Sequence, residues 1–321
     1  MSTTSMTNPS GNGNDDDTTR VPAPGDLLLS DEQRAQTDQM VVAMARLIED
    51  GDFLAEGIGT FLSTSAYMLA KHMHAPNCTS LCPNGNTLME GTRALTLGHD
   101  EFDTVPRASV WLDYLQINLL YMPAIFLGGK LRWTEFMRPA QIDPMGATNN
   151  VCIGPHAQPT LRLPGSAGIP DASTAARRFY YYAPRHTRQV FVPSLDFCSG
   201  AGHPGKDNGV DMTIVVVTNL CVMSSGPAGR LQVTHLHPGV TRDDVQRNTG
   251  FELDWHAQVA VSAPPAAAEL HLLDTLVDPR GLRFLEMLSG KARKTRLRAL
   301  AGGATPAASI PNATHAKDAA P

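Results

Sequence analysis

The 321-residue sequence predicts an α/β fold, an open, mostly parallel sheet with helices on both faces. Three observations carry this expectation. Short continuous apolar runs such as Thr213-Ile214-Val215-Val216-Val217 are the mark of strands buried on both faces. Helical stripes, some opened by capping residues, alternate with those runs. With 42% apolar residues, the chain can build a sizeable core in one large domain or at most two.

Residues 1–27 contain no aromatic residue and are rich in Ser, Thr, Asn, Asp, Gly and Pro. They cannot bury enough apolar surface to offset their ordering entropy, and a disordered tail is expected there. An Ala/Pro-rich stretch without aromatics makes residues 300–321 a second expected tail, leaving 28–299 as the folded domain. Ser30 with Gln33 forms a capping box, followed by a helical stripe of Met40, Val41, Met44, Leu47 and Ile48, with Gly51 as the stop. A strand, Phe53-Leu54-Ala55, then runs into Gly57-Ile58-Gly59-Thr60. The next helix carries Tyr67, Met68, Ala70 and Lys71 and ends before Pro76. Further strands are expected at Ala124-Ile125-Phe126-Leu127, Gln189-Val190-Phe191-Val192, Thr213 to Val217 and Leu231-Gln232-Val233. The last two lie close enough to be hairpin neighbours; the others need longer crossovers. Late helices are expected to begin near Thr241 and near Ala266. The one basic cluster, Lys291 to Arg298, reads as the solvated end of the last helix.

Charge and cysteine usage narrow the function classes. A count of 26 Lys+Arg against 31 Asp+Glu, net −5, argues against a nucleic-acid footprint. Five scattered cysteines indicate no disulfide scaffold and suit a reducing compartment. No run approaches the roughly 18–20 apolar residues of a membrane span. The N-terminus lacks an apolar signal core, so a soluble cytoplasmic protein is expected.

Four segments could carry chemistry. Gly57-Ile58-Gly59, between strand and helix, can hold an anion on exposed amides; it also suits a tight turn that needs small residues. Cys78 and Cys82 lie near His72, His74 and His99, but no second Cys pair exists, so they read as buried thiols and no metal is expected. Cys198-Ser199-Gly200-Ala201-Gly202-His203 lacks a nucleophile elbow and reads as a glycine loop, with His203 a candidate substrate contact. Leu163-Pro164-Gly165-Ser166-Ala167-Gly168 places small residues where backbone N–H groups can approach a ligand oxygen, as an oxyanion hole requires.

Taken in order, these segments resemble the beta subunit of family I CoA-transferases, nearest its glutaconate-type branch. The strand–Gly57-Ile58-Gly59–helix unit, Ala75-Pro76-Asn77-Cys78 and Pro83-Asn84-Gly85 are similar to that family's first half. Ala140-Gln141-Ile142-Asp143 with Gly146 and Asn149 resembles its A-Q-[IV]-D-x-x-G-N-x-N segment, with Ala147 in place of the usual Asn. Gly165-Ser166-Ala167-Gly168 resembles its oxyanion loop. His237-Pro238-Gly239-Val240 through Asn248-Thr249-Gly250-Phe251-Glu252-Leu253 resembles its closing segment.

The resemblance implies an alpha-subunit partner and an acyl-CoA thioester as substrate, with no tightly bound cofactor. It places Gly165 to Gly168 at the oxyanion and Asn84-Gly85 on the wall opposite. In the family a Glu attacks the thioester, but this chain has Pro83 at that position, which holds no nucleophile. Glu90 and Glu101 lie too far along the chain to take over. Three readings follow: CoA transfer to a carboxylic acid; hydrolysis, ring-opening in some relatives, with the carboxylate on the alpha subunit; or a non-catalytic structural partner of that subunit.

Overall fold

A computed structural model of the chain describes residues 29–82, 86–98, 104–113, 115–116, 119, 132–175, 178–203 and 212–302. The expected strand at 124–127, the expected N-terminal tail and residues 303–321 lie outside them. Helix α1 spans Asp31–Ala45 and opens on the expected capping box: Ser30 Oγ accepts from the Gln33 amide at 3.2 Å, and Gln33 Oε1 from the Ser30 amide at 3.1 Å. It ends at Ala45, not at Gly51. Beyond it the amides of Leu47 and Ile48 bond back only three residues, and Gly51, at φ +83°, turns the chain into strand β1, Phe53–Ala55.

Helix α2, Phe61–Met73, is followed by β2 (Thr79–Cys82), β3 (Thr87–Met89), β4 (Val110–Trp111) and β5 (Trp133–Met137). Two short hairpins come next, β6 (Gln141–Ile142) with β7 (Thr148–Asn149), and β8 (Cys152–Ile153) with β9 (Leu161–Arg162). Then follow α3 (Ile169–Ala175), β10 (Arg178–Ala183), β11 (Thr213–Thr218), β12 (Cys221–Ser225), β13 (Leu231–Leu236), α4 (Arg242–Arg247) and β14 (Asp254–Val261). Helix α5 (Ala267–Leu272), a wide turn (Leu273–Val277), a 3₁₀ turn (Leu282–Glu286) and α6 (Gly290–Gly302) close the chain. The last helix passes the expected boundary at 299, and Leu300 on it is fully buried.

Ten strands form one sheet in the order β14-β13-β12-β11-β10-β5-β1-β2-β3-β4. The central five, β11 to β2, run parallel, and antiparallel pairs flank them. The expected pairing of β11 with β13 does not occur, because β12 inserts between them. Its turn is made by the Thr218 hydroxyl, which accepts from the amides of Leu220 and Cys221, a signal without glycine or proline. Gln189 to Val192 forms only an isolated bridge, Ile142 to Phe191. Val190 and Phe191 spend their amides on the Thr187 carbonyl, and Pro193 has none to extend a ladder.

Alternation along β10 shows why the sheet is buried on both sides. Tyr180 and Tyr182 join Leu54, Phe136, α1 and α2 on one face, while Phe179, Tyr181 and Ala183 join Phe53, Trp133, Ile169 and Val245 on the other. The closing turns are pinned to α1 through Arg283, 1% exposed, which donates to Asp38, Asp274 and Asp278. Among the described residues no helix is long and apolar enough to cross a membrane.

Two buried histidines set the acid limit of this fold. His186 stacks on Phe191 between the hydroxyls of Thr218 (3.1 Å) and Thr249 (2.9 Å), and burial pushes its pKa down to about 3. His237 is pushed down to about 4, mainly by burial. The unfolded chain takes up these protons below about pH 6.5, whereas the folded chain declines them, so stability is complete above that value and falls toward pH 4. Each histidine contributes a slope approaching about 1.4 kcal/mol per pH unit. Urea unfolding of His186→Gln should therefore show a shallower loss of stability between pH 6.5 and 4 than the unmodified protein; identical slopes would reject this origin.

Candidate active site

A cavity of about 700 Å³ opens at the carboxyl ends of parallel strands β1, β5 and β10. From β1 the chain moves outward to β2, while β5 leads the opposite way to β10 and β11. The strand order thus reverses between β1 and β5, and a crevice at such a switch point is where open parallel sheets bind ligands. Gly57, Ile58, Gly59 and Thr60 line one side, and Leu163 to Ile169 another. The remaining wall includes Glu135, Arg138, Asn150, Arg185 and Arg293.

Backbone geometry explains why glycines stand at these places. Gly59 has φ +63° and Gly165 φ +118°, conformations that a Cβ makes unfavourable. Gly165 donates its amide to the Asn150 carbonyl at 2.9 Å, which hangs the loop on the strap that follows β7. Ala167 is itself held at φ +45°. The amides of Ser166, Ala167 and Gly168 have no hydrogen-bond partner among the described residues, so three consecutive donors remain for a ligand oxygen. The strap is braced by the polar motif picked out in the sequence. Asn149 Nδ2 donates to Gln141 Oε1 at 2.7 Å, Asp143 Oδ1 accepts the amides of Met145 and Ala147, and Asn150 Oδ1 accepts the Ala140 amide. These side chains hold the backbone rather than face the cavity, Asn150 excepted.

The sequence candidates divide accordingly. Gly57, Gly59, Gly165, Ser166, Ala167 and Gly168 come together around one space. His203 does not join them. Its Nε2 lies 2.8 Å from the Met212 carbonyl, and its ring fills the space a Gly229 Cβ would need. The glycines of its loop serve packing: a Cβ on Gly202 would stand 2.7 Å from the Met145 carbonyl. Pro83, Asn84 and Gly85 lie outside the described residues, between Cys82 at the end of β2 and Asn86. Glu90 is exposed and is not among the lining residues; Glu101 lies outside the described residues. Cys78 and Cys82 are buried.

Charged groups in the lining are not legible in the sequence. Glu135, the one acid among the lining residues, accepts from Trp133 Nε1 at 3.2 Å. Arg138 donates to Glu286 at 2.9 Å; burial opposes its charge, but Glu286 more than offsets this and holds its pKa above the ordinary value. Glu286 is wholly buried and also accepts from the Leu62 amide (2.8 Å) and the Tyr182 hydroxyl (2.9 Å). Burial, then the like charges of Arg138 and Arg293, push the Arg185 guanidinium down. A strand-end Arg and a basic helix carry no local signal of a shared cavity, so only their placement in the fold reveals them.

Comparison with known proteins gives the class. Residues 117–248 match the model of the coenzyme A transferase family. The chain is 30% identical to the beta subunit of the 3-oxoadipate CoA-transferase of Pseudomonas knackmussii over 258 residues, 74% of this chain and 92% of that protein. It is 36% identical over 153 residues to the cholesterol ring-cleaving hydrolase IpdB subunit of Rhodococcus jostii, covering 46% of this chain and 60% of that one. The crystal structure of Rhodococcus jostii IpdAB superposes with a TM-score of 0.66 at 27% identity, covering 79% of this chain and 98% of that chain. The chain belongs to the family I CoA-transferases and is of their beta-subunit type.

Glu286 joins the cavity wall to the core, which makes it testable. Glu286→Gln keeps the shape but removes the charge that Arg138 and two further donors face. A loss of about 2–3 kcal/mol in denaturant unfolding is expected. No loss would show that the network contributes nothing.

Proposed function

We propose that this chain is the beta subunit of a heteromeric enzyme acting on coenzyme A thioesters in the cavity between the Gly57–Thr60 turn and the Leu163–Ile169 loop. The observation that carries the reading is that two glycine segments far apart in sequence share one space at the switch point of a parallel sheet. When a thioester carbonyl is attacked, charge develops on its oxygen, and the amides of Ser166, Ala167 and Gly168 are the donors for it. Gly165 shapes the turn, since its own amide is committed to Asn150. Asn84 and Gly85 form the wall opposite. The reaction needs no tightly bound cofactor, and the complex, completed by an alpha subunit, works in the cytoplasm.

Transfer of coenzyme A is the reaction named for the Pseudomonas relative, and by the ping-pong route it needs a carboxylate where this chain has Pro83. That substitution favours a second reading, hydrolysis, in which water attacks and the alpha subunit supplies the acid/base carboxylate. The similarity to a hydrolase subunit supports it.

The chain purified together with its alpha subunit, given a panel of CoA thioesters, should consume one of them. Consumption in water alone marks hydrolysis; dependence on an added carboxylic acid marks transfer. Gly165→Val should lower turnover by at least about 100-fold while the complex still assembles. Unchanged turnover in that variant rejects the site, and full turnover by the alpha subunit alone would make this chain structural.

A further inference from the structure

Three arginines reach the cavity from separate parts of the chain. Arg138 follows β5, Arg185 follows β10, and Arg293 comes from helix α6. Arg293 belongs to the basic cluster at 291–298, so part of that cluster faces a cavity rather than only solvent. The helix that carries it is fixed: Arg296 donates to the Arg280 carbonyl at 2.7 Å, and Leu300 is fully buried. Arg138 is answered by Glu286, but among the described residues Arg185 and Arg293 have no carboxylate partner. With Glu135 the one acid in the lining, positive charge is in excess. Like charges in a partly enclosed space repel, as the lowered pKa of Arg185 registers, and a bound anion relieves that repulsion.

We infer that Arg138, Arg185 and Arg293 form a subsite for a free carboxylate at the far end of the acyl group, so that the substrate class is a CoA thioester of a dicarboxylic acid. The inference rests on the reading of the cavity as a thioester site. Planar guanidinium forks match a carboxylate in two hydrogen bonds, which favours arginine over lysine here. Size separates the acyl carboxylate from the phosphates of coenzyme A, the other anions such a ligand carries. A space of about 700 Å³ is roughly 11 Å across if rounded. With the thioester carbonyl at Ser166 to Gly168, the tip of a short acyl chain still falls within that span. The phosphates, at the other end of the extended pantetheine arm, fall outside it.

The test compares binding of free coenzyme A, butyryl-CoA and glutaryl-CoA to the assembled complex by titration calorimetry. Glutaryl-CoA, differing from butyryl-CoA by the end carboxylate, should bind about tenfold or more tightly, the factor a charge-assisted hydrogen bond provides. Arg185→Gln and Arg293→Gln, both at positions partly open to solvent, should each reduce that preference and together abolish it, with free coenzyme A and butyryl-CoA bound as before. Arg293→Lys should keep only part of it. Equal weakening of all three ligands would assign the arginines to the phosphates and overturn the proposal while leaving the thioester reading intact. Failure of the variants to assemble with the alpha subunit would assign them to the subunit interface and equally overturn it. If the unmodified complex binds none of the three, the thioester reading itself falls, and the proposal with it.

Discussion

The hydrogen bond from the Gly165 amide to the Asn150 carbonyl holds the glycine loop at the ends of the parallel strands, and the geometry of the cavity depends on it. Without that bond the loop from Leu163 to Gly168 has no fixed height above β5 and β10. The bond in turn needs Asn150 in place, and Asn150 is held by the Ala140 amide and the Ser199 hydroxyl. A network of Gln141, Asn149 and Asp196 supports the same strap from beneath. Several polar side chains thus serve to position one stretch of backbone, because an oxyanion donor is effective only when its place is set before charge develops.

The opposite wall is tied to the core by a different means. Glu286 is wholly buried, a position tolerable for a carboxylate only when its oxygens are answered. Leu62, Arg138 and Tyr182 answer them from α2, the end of β5 and β10. One side chain therefore joins the helical layer, the sheet and the cavity rim. Buried polar networks of this kind are stabilising when complete and costly when one member is lost.

Fold and chemistry separate cleanly in this protein. The scaffold is that of the CoA-transferases, yet the residue that attacks the thioester in them is proline here. A shared fold establishes where a ligand lies, not which bond it breaks. What Pro83 removes is a covalent intermediate, while the three amides that would stabilise charge on a carbonyl oxygen are untouched by that change.

Much of this is legible in the residues alone. The Ser30–Gln33 box, the β1–glycine–α2 unit and the continuous apolar run of β11 are local signals, and local rules of capping, φ and periodicity read them correctly. Gly51 is a misleading helix stop, because the tightened turn after Ala45 needs no special residue. Strand β12 carries no comparable signal, since its turn rests on a threonine hydroxyl, and the tyrosines of β10 suit more than one environment. The class of sheet, the two glycine segments and the loss of the attacking carboxylate are all written in the identity of neighbouring residues. That the glycine segments share a cavity, that His203 stands apart from it, and that Arg138, Arg185 and Arg293 meet there is settled only by the folded arrangement. Those are distances between residues far apart along the chain, set by strand order and packing rather than by any local preference.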